Sequence, residues 1–514
     1  MHPPGAGGGP LGNQLAVGLM IELPDNKWAR RGLALAAGLC ICFAMPPWGW
    51  WPLAPIGIGL WALLMDRPRW TGRFWVGALA GLGWFLPSTL WMFKFTPVGW
   101  PVGVALWFPL ILGAASALSP PGPMRFAGLP ATLILSEWLR WHAPFGGVPL
   151  SMLALTQARG PLLPVARIGG SMLVSAAVAV AGTALGLMAS GRWRIGGAVL
   201  ASVVIAAALG VIAPQGHAVR TLRAAAVQGG GPQEVRANPA DYGVVFQRQV
   251  TASAGIRTPV DLVVWPEDVV NVVQYATSVE KTQMQQLAEK LHATIVAGVV
   301  ENGADDKHFY NAAVAIDPDG QQAGRYEKVR RVPFGEYVPL RNLLEPIAGS
   351  LLPPKDAIPG TKPNVLRTAA GRLGVVVSWE VFFGRRVREA IHHDAQLILN
   401  PTNGSSYWLN EVQTQQIASS QLRAVESGRW LVQASPTGFS AIVTPSGNVL
   451  GRSSMGEAHV VEGDVQLRNG NTIAAVTGDL FALLLAGVLF CLGWGVLLSS
   501  RRQVPVFRHG AERT

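Results

Sequence analysis

Long apolar runs separated by short polar or proline-rich loops occupy the chain up to about residue 213. A helix needs about 20 apolar residues to cross a bilayer. The pattern predicts spans at 31–46, 51–65, 74–92, 102–118, 126–141, 163–189 and 195–212, with an eighth at 477–498. A large soluble core can contain one such run. A series with scattered Gly and Ala and with Trp near the ends favours membrane helices.

The pattern changes after Thr221, where short β-branched runs alternate with amphipathic segments. It predicts strands at 222–227, 262–265, 294–300, 312–316, 373–378, 396–399, 430–434 and 441–444, and helices at 239–254, 279–292, 385–392 and 412–427. Turn sequences such as Asp317-Pro318-Asp319-Gly320 separate the strands. We therefore expect a layered α/β domain with one core.

Arginine is concentrated in alternate loops of the apolar region, at positions 30, 31, 67, 69, 73, 125, 192 and 194, and again at 501, 502 and 508. Basic residues favour the cytoplasmic side. The pattern predicts a cytoplasmic tail (1–28), seven helices (29–213), an extracytoplasmic domain (214–475), a last helix (476–499) and a second cytoplasmic tail (500–514).

Composition agrees with a membrane protein, since 50% of the residues are hydrophobic and only 14% are charged. The net charge of +11 comes largely from loop arginines that can face anionic lipid, and no basic run with interleaved aromatics indicates nucleic-acid binding. All three cysteines, Cys40, Cys42 and Cys491, fall in predicted spans. We therefore predict neither a disulfide nor a cysteine metal site in the soluble domain, and no cofactor.

Three stretches of the soluble domain place reactive side chains just after predicted strands, where active sites of layered α/β domains collect. Glu267 follows Val263-Val264-Trp265-Pro266 and could act as a general base. A capping carboxylate is the simpler interpretation of that motif alone. Lys328 and Glu336 lie in a stretch that ends Pro333-Phe334-Gly335-Glu336-Tyr337-Val338-Pro339. Lys328 could stabilise an oxyanion, although a solvated charge run is the alternative.

The third stretch is Gly374-Val375-Val376-Val377-Ser378-Trp379-Glu380. A buried strand that ends on a small hydroxyl residue can present a nucleophile at a strand-to-helix turn. A serine cap followed by a carboxylate in the first helical turn is the alternative.

The three stretches together resemble the Glu-Lys-Cys triad of the nitrilase superfamily. With the predicted spans, and with Arg423-Ala424-Val425-Glu426 and Arg429 in matching order, the chain resembles the apolipoprotein N-acyltransferase family. The resemblance implies an extracytoplasmic αββα sandwich beside about eight transmembrane helices in a bacterial plasma membrane. It also implies acyl transfer from a phospholipid such as phosphatidylethanolamine to the α-amino group of a diacylglyceryl apolipoprotein, without metal or cofactor.

The resemblance assigns Glu267 as the general base, Lys328 as the group that stabilises the tetrahedral intermediate, and Ser378 to the nucleophile position. Glu336, Trp379 and Glu380 match supporting positions. Phe334 and Asn403 are candidate substrate-binding residues, and Trp408 is expected to lie near the site by its position in the chain.

The chain departs from the family in having Ser378 where the family has Cys, and Thr402-Asn403-Gly404 where the family typically has Ser-Asn-Asp. Three functions stay open at this point. They are an acyltransferase that works through an acyl-serine, a catalytically impaired relative that still binds lipid or lipoprotein, and a membrane-anchored amidase. A transporter is a fourth interpretation of the spans, but the predicted spans lack the buried acidic or basic pair expected of an ion path. The one exception is Glu137, which lies near Arg140 toward the outer end of its span.

Overall fold

A computed structural model describes residues 23–96, 99–232, 242–257, 259–406 and 409–502. Each segment that we predict to span the membrane contains a helix. The first part of the chain forms α1 (Lys27–Ala44), α2 (Leu53–Leu64), α3 (Trp70–Ser88), α4 (Met92–Phe95), α5 (Phe108–Leu118, preceded by a π-helical segment Pro101–Trp107), α6 (Arg125–His142), α7 (Ala166–Ala189) and α8 (Trp193–Ile212).

Four helical segments of the described residues are long and apolar enough to cross a membrane: Pro101–Leu118, Leu163–Ala189, Trp193–Ile212 and Leu480–Ser499. The acidic residue of α6, Glu137, is buried and paired with Arg140 at 3.3 Å. It also accepts a hydrogen bond from the backbone N–H of Leu153 at 2.6 Å. These contacts give Glu137 a structural role, so it offers no support for an ion path.

The soluble part is a sandwich of two sheets with helices on its outer faces. Its strands are β1 (His217–Gln228), β2 (Leu262–Val264), β3 (Val270–Val272), β4 (Thr294–Asn302), β5 (His308–Ile316), β6 (Gln322–Glu327), β7 (Asp356–Ala357), β8 (Val365–Thr368), β9 (Gly371–Val375), β10 (Leu397–Pro401), β11 (Leu431–Ala434), β12 (Ala441–Val443), β13 (Val449–Arg452) and β14 (His459–Asn469). The helices of this part are α9 (Tyr242–Ser253), α10 (Val279–Leu291), α11 (Arg341–Ala348), α12 (Gly384–His392), α13 (Glu411–Ser427) and α14 (Ile473–Thr477). After it the chain continues into the last apolar helix, α15 (Leu480–Arg502).

The first sheet has the strand order β14-β1-β2-β4-β5-β6, and the second has β13-β12-β11-β10-β9-β8. Successive side chains of a strand point to opposite faces, and this alternation explains how the two sheets pack. On β1, Leu222, Ala224 and Ala226 face the core shared by the two sheets, whereas Ala225 and Val227 face the helical layer that contains α9 and α10. Two-sided burial therefore produces the apolar runs read from the sequence.

Helix α13 covers the second sheet and packs against membrane helix α7. The helix is rich in Gln and Ser, yet nearly all of it is buried. Its side chains satisfy backbone carbonyls of the membrane part, since Gln415 Nε2 donates to Ser88 O at 3.1 Å and Gln421 Nε2 donates to Ala158 O at 3.1 Å. Helix α13 thus joins the soluble domain to the membrane helices.

The structure differs from the predicted elements at the Ser378 turn and at the edge of the first sheet. The strand predicted at 373–378 ends at Val375, and Ser378 begins a 3₁₀ helix, Ser378–Phe382. The prediction also omitted β14, an edge strand that pairs antiparallel with β1 from His217 to Gln228. Polar residues such as Glu462, Asp464 and Gln466 interrupt its apolar pattern, because an edge strand need not be apolar on both faces. The predicted helix 239–254 begins at Tyr242 among the described residues.

Candidate active site

Glu267, Lys328 and Glu336 form one buried cluster. Lys328 Nζ lies 2.8 Å from Glu267 Oε1 and 2.7 Å from Glu336 Oε1. The Nδ2 group of Asn311 donates to the same two oxygens at 2.9 and 3.0 Å. A cation and an amide therefore hold the two carboxylates together. Gly298 lets the backbone at Glu267 lie close against β4, because a Cβ atom at position 298 would lie 2.4 Å from Glu267 Cα.

The charges of the cluster make Lys328 a stable ammonium. Burial by itself lowers the pKa of Lys328, but Glu267 and Glu336 outweigh burial and raise that pKa above its ordinary value. Burial in turn raises the pKa of Glu336, although Lys328 opposes the shift. An ammonium has three N–H groups. Two of them donate to the carboxylates, and a third remains that neither carboxylate engages.

Ser378 lies at a turn with a positive φ of 51°, a conformation uncommon for a residue other than glycine. The residue is 6% exposed. Its backbone N–H donates to Asn400 Oδ1 at 3.2 Å, and its Oγ lies 3.1 Å from Thr402 Oγ1. Asp268 and Phe334, in the other two loops, also have positive φ values. Backbone strain of this kind is often found at functional sites.

Two sets of contacts bring the Ser378 turn against the loops of the other two stretches. Thr402, which contacts Ser378, precedes Asn403, whose Nδ2 donates to Asp268 Oδ2 at 3.3 Å beside Glu267. The carboxylate of Glu380 accepts the backbone N–H groups of Val329 and Arg330, each at 3.0 Å, directly after Lys328. The three stretches singled out in the sequence thus form one site.

Glu380 is a fully buried hub and does not join the Glu267–Lys328 cluster. It also accepts the hydroxyl of Tyr326 at 2.8 Å and the backbone N–H of Val377 at 3.0 Å. The Nε atom of Arg386 lies 3.5 Å away. Glu380 therefore ties the strand end that carries Lys328 to the turn that carries Ser378.

The remaining predicted residues lie around this centre. Trp379 is buried against Phe382 and Phe383, with ring centroids 5.4 and 6.0 Å apart. Phe334 is partly exposed and packs edge-to-face on Phe145, which follows α6, at 6.0 Å. Phe334 thus lies where the soluble domain meets the membrane part. Trp408, which also follows β10, lies outside the described residues.

Comparisons with known proteins decide the family. A family model described as carbon-nitrogen hydrolase matches residues 223–474, and one described as apolipoprotein N-acyltransferase N-terminal domain matches residues 37–184. The apolipoprotein N-acyltransferase of Mycolicibacterium smegmatis is 30% identical to this chain, over 91% of this chain and 85% of the relative. The chain belongs to the apolipoprotein N-acyltransferase family. The relative from Pseudomonas aeruginosa strain UCBPP-PA14 is 29% identical over 87% of this chain and 91% of its own.

The family resemblance predicted from the sequence is therefore confirmed, as is a nitrilase-like domain beside apolar helices. Among solved structures, Saccharomyces cerevisiae Nit3, a member of branch 10 of the nitrilase superfamily, covers 57% of this chain and 98% of its own at 16% identity with a TM-score of 0.38.

Sequence reasoning missed several residues of this apolipoprotein N-acyltransferase site. Asn311, Asn400 and Tyr326 each contact a candidate residue. Asn311 and Asn400 lie one residue outside a predicted strand, and Tyr326 lies on β6, where no strand was predicted. A polar side chain within a buried strand was the available signal, because a buried polar group needs a partner. Within the described ranges, no group of three or more His, Cys, Asp or Glu is arranged to hold a metal ion.

Proposed function

We propose that this chain transfers a fatty acyl group from a membrane phospholipid to the α-amino group of a diacylglyceryl-cysteine at the N-terminus of a lipoprotein, through an ester on Ser378. The arrangement of Lys328 between Glu267 and Glu336 carries the proposal. A fixed ammonium with one N–H to spare is suited to an acyl-transfer oxyanion. The relatives' name, apolipoprotein N-acyltransferase, supports the choice of substrates.

In the first half-reaction, Glu267 takes the proton of Ser378 Oγ while that oxygen attacks the phospholipid ester carbonyl. Lys328 donates to the carbonyl oxygen as it becomes negative. When the intermediate collapses, the glycerol oxygen leaves with the proton from Glu267 as a lysophospholipid. Glu336 keeps Lys328 in place, and Glu380 and Trp379 fix the turn that carries Ser378.

In the second half-reaction, the α-amino nitrogen attacks the Ser378 ester and passes a proton to Glu267. The bond between the carbonyl carbon and Ser378 Oγ breaks, and Oγ recovers the proton. The products are an amide and the free enzyme. Serine requires stronger activation than cysteine because a thiol loses its proton far more easily. In this proposal Phe334 and Asn403 contact the substrates, and the position of Phe334 between the soluble domain and the membrane part supports its role.

We further propose eight transmembrane helices, cytoplasmic termini and an extracytoplasmic site in a bacterial plasma membrane. Helix α8 ends at Ile212 and leads into β1, and α15 begins at Leu480 just after β14 and α14. Both helices therefore enter the same domain from one membrane face. This arrangement lets the site draw its acyl donor and its anchored acceptor from one leaflet. A reporter fused after Thr514 should be active only if it is of a type that works in the cytoplasm.

The test is purified protein incubated with phosphatidylethanolamine and a diacylglyceryl lipopeptide. We expect triacylated lipopeptide and lysophospholipid in equal amounts, and loss of both in Ser378→Ala. Activity that is absent in the native protein and appears only in Ser378→Cys would instead identify an impaired relative. Hydrolysis of small amides to ammonia and the matching carboxylic acid, without lipopeptide acylation, would favour an amidase.

A further inference from the structure

The side-chain hydroxyl of Thr402 contacts Ser378 Oγ, the oxygen at the nucleophile position. Thr402 is fully buried, and its Oγ1 lies 3.1 Å from Ser378 Oγ. Its backbone N–H donates to Ala434 O on β11 at 2.8 Å. The Ser378 backbone is held on the other side by Asn400, the penultimate residue of β10. The contact between the two hydroxyls is thus fixed by the ends of adjacent strands.

A hydrogen bond between two hydroxyls has one donor and one acceptor. If Ser378 donated to Thr402, its only hydroxyl proton would be directed at Thr402 Oγ1 and not at Glu267, the proposed base. For Ser378 to surrender its proton to Glu267, Thr402 must be the donor. We propose that Thr402 is a further catalytic residue, whose hydroxyl donates to Ser378 Oγ and stabilises the negative charge that this oxygen acquires. This inference rests on the proposed function, because it requires Ser378 to be the nucleophile.

The contribution is greatest where Ser378 Oγ acts as the leaving group. In the second half-reaction the bond between the acyl carbon and Ser378 Oγ breaks, both electrons of that bond pass to Oγ, and Glu267 returns the proton taken from the amine. Thr402 gives no proton in this step and only donates a hydrogen bond. An alkoxide leaving group gains more from such a donor than a thiolate, since sulfur is a weak acceptor and a thiolate is already stable.

The effect of removing the Thr402 hydroxyl should therefore depend on whether the nucleophilic atom at position 378 is oxygen or sulfur. In the native protein, Thr402→Val should slow lipopeptide acylation by about 10- to 100-fold, the range expected for a hydrogen bond to a charged group. Lysophospholipid release in a single turnover should slow less, so acyl-enzyme should accumulate. In a Ser378→Cys background, Thr402→Val should change the same rate by less than about threefold.

Three variants separate this role from a packing role. Thr402→Ser keeps the donor and should retain most of the activity. Thr402→Ala removes the donor without the bulk of valine, and it replaces Thr402→Val if that variant does not fold. Thr294→Val is the matched control, because it deletes another buried hydroxyl, one that donates to Asp317 Oδ1 at 2.7 Å on the first sheet. We expect it to lower thermal stability and to leave the acylation rate within about twofold.

The inference is overturned if Thr402→Val reduces the rate equally with Ser378 and with Cys at position 378, or if Thr402→Ser is as slow as Thr402→Val. Either result would mean that Thr402 only supports packing. Failure of the proposed function is distinct, since native protein would then form no triacylated lipopeptide or Ser378→Ala would retain full activity.

Discussion

Replacing Glu380 with Gln tests whether this side chain is the hub that joins the Lys328 strand to the Ser378 turn. The carboxylate accepts Val329 N, Arg330 N and Tyr326 Oη on Oε1, and Val377 N on Oε2. Glutamine keeps the size but has one acceptor oxygen. Its NH₂ group must then face at least one backbone N–H, whichever way the amide is oriented.

The expected destabilisation follows from these contacts. An unsatisfied buried backbone N–H costs about 1–3 kcal/mol, and removing one partner of a buried ion pair costs about 3–5 kcal/mol. The second cost is reduced here, because Arg386 also contacts Tyr326 Oη at 2.6 Å and Glu389. We therefore expect a loss of about 3–5 kcal/mol. For a domain of 150–250 residues this corresponds to a fall in melting temperature of roughly 10 °C.

The assay is thermal unfolding of detergent-purified protein, with acyl transfer measured below the melting temperature of the variant. Glu389→Gln is the matched control, because Glu389 binds the same Arg386 while its side chain is 35% exposed. A partly exposed ion pair contributes at most about 1 kcal/mol. Equal melting temperatures for Glu380→Gln and Glu389→Gln would refute the hub role of Glu380.

Three further predictions concern the charged cluster. Lys328→Met should reduce lipopeptide acylation by at least about 10²-fold, because it removes the oxyanion donor; a rate close to that of the native protein would contradict the role of Lys328. Burial and the charge of Glu267 raise the pKa of Asp268 to about 8, from about 3.9 in the unfolded chain, so its ionised form destabilises the fold and stability falls as pH rises from about 4 to 8. Asp268→Asn should flatten this fall in melting temperatures measured between pH 5 and 8.5, and an unchanged slope would show that another group titrates. Asn311→Asp should lower the acylation rate at least about tenfold, because it exchanges the amide donor for a third acid, whereas Asn302→Asp at the exposed end of β4 should have little effect.

The local sequence pattern was sufficient to predict which candidate residues lie at the ends of buried strands. Glu267 and Ser378 each follow an apolar β-branched run, and the structure has them beside β2 and β9 as that pattern predicts. The sequence pattern could not predict contacts that depend on which strands are neighbours in a sheet. Asn400 reaches the Ser378 backbone because β10 lies beside β9. Asn311 on β5 reaches Glu267, which follows β2, because β2 and β5 lie on either side of β4 in the first sheet.

The role of Glu380 was also beyond sequence reasoning. The resemblance assigns Glu380 only a supporting position, whereas in the structure its hydrogen bonds go to the backbone on either side of the site. Helix α13 gave a similar difficulty, since its Gln and Ser residues suggest a solvent-exposed face. Its burial is explained by backbone carbonyls of the membrane part, at Ser88 and Ala158, that accept hydrogen bonds from its side chains.

Mass spectrometry of the acyl-enzyme tests the central claim most directly. The native protein, incubated with phosphatidylethanolamine and no lipopeptide, should carry one fatty acyl ester on the peptide that contains Ser378. The ester should disappear when diacylglyceryl lipopeptide is added, and Ser378→Ala should never form it. Triacylated lipopeptide made without any acyl group on Ser378, or an acyl group on a different residue that is passed to the lipopeptide, would contradict the account.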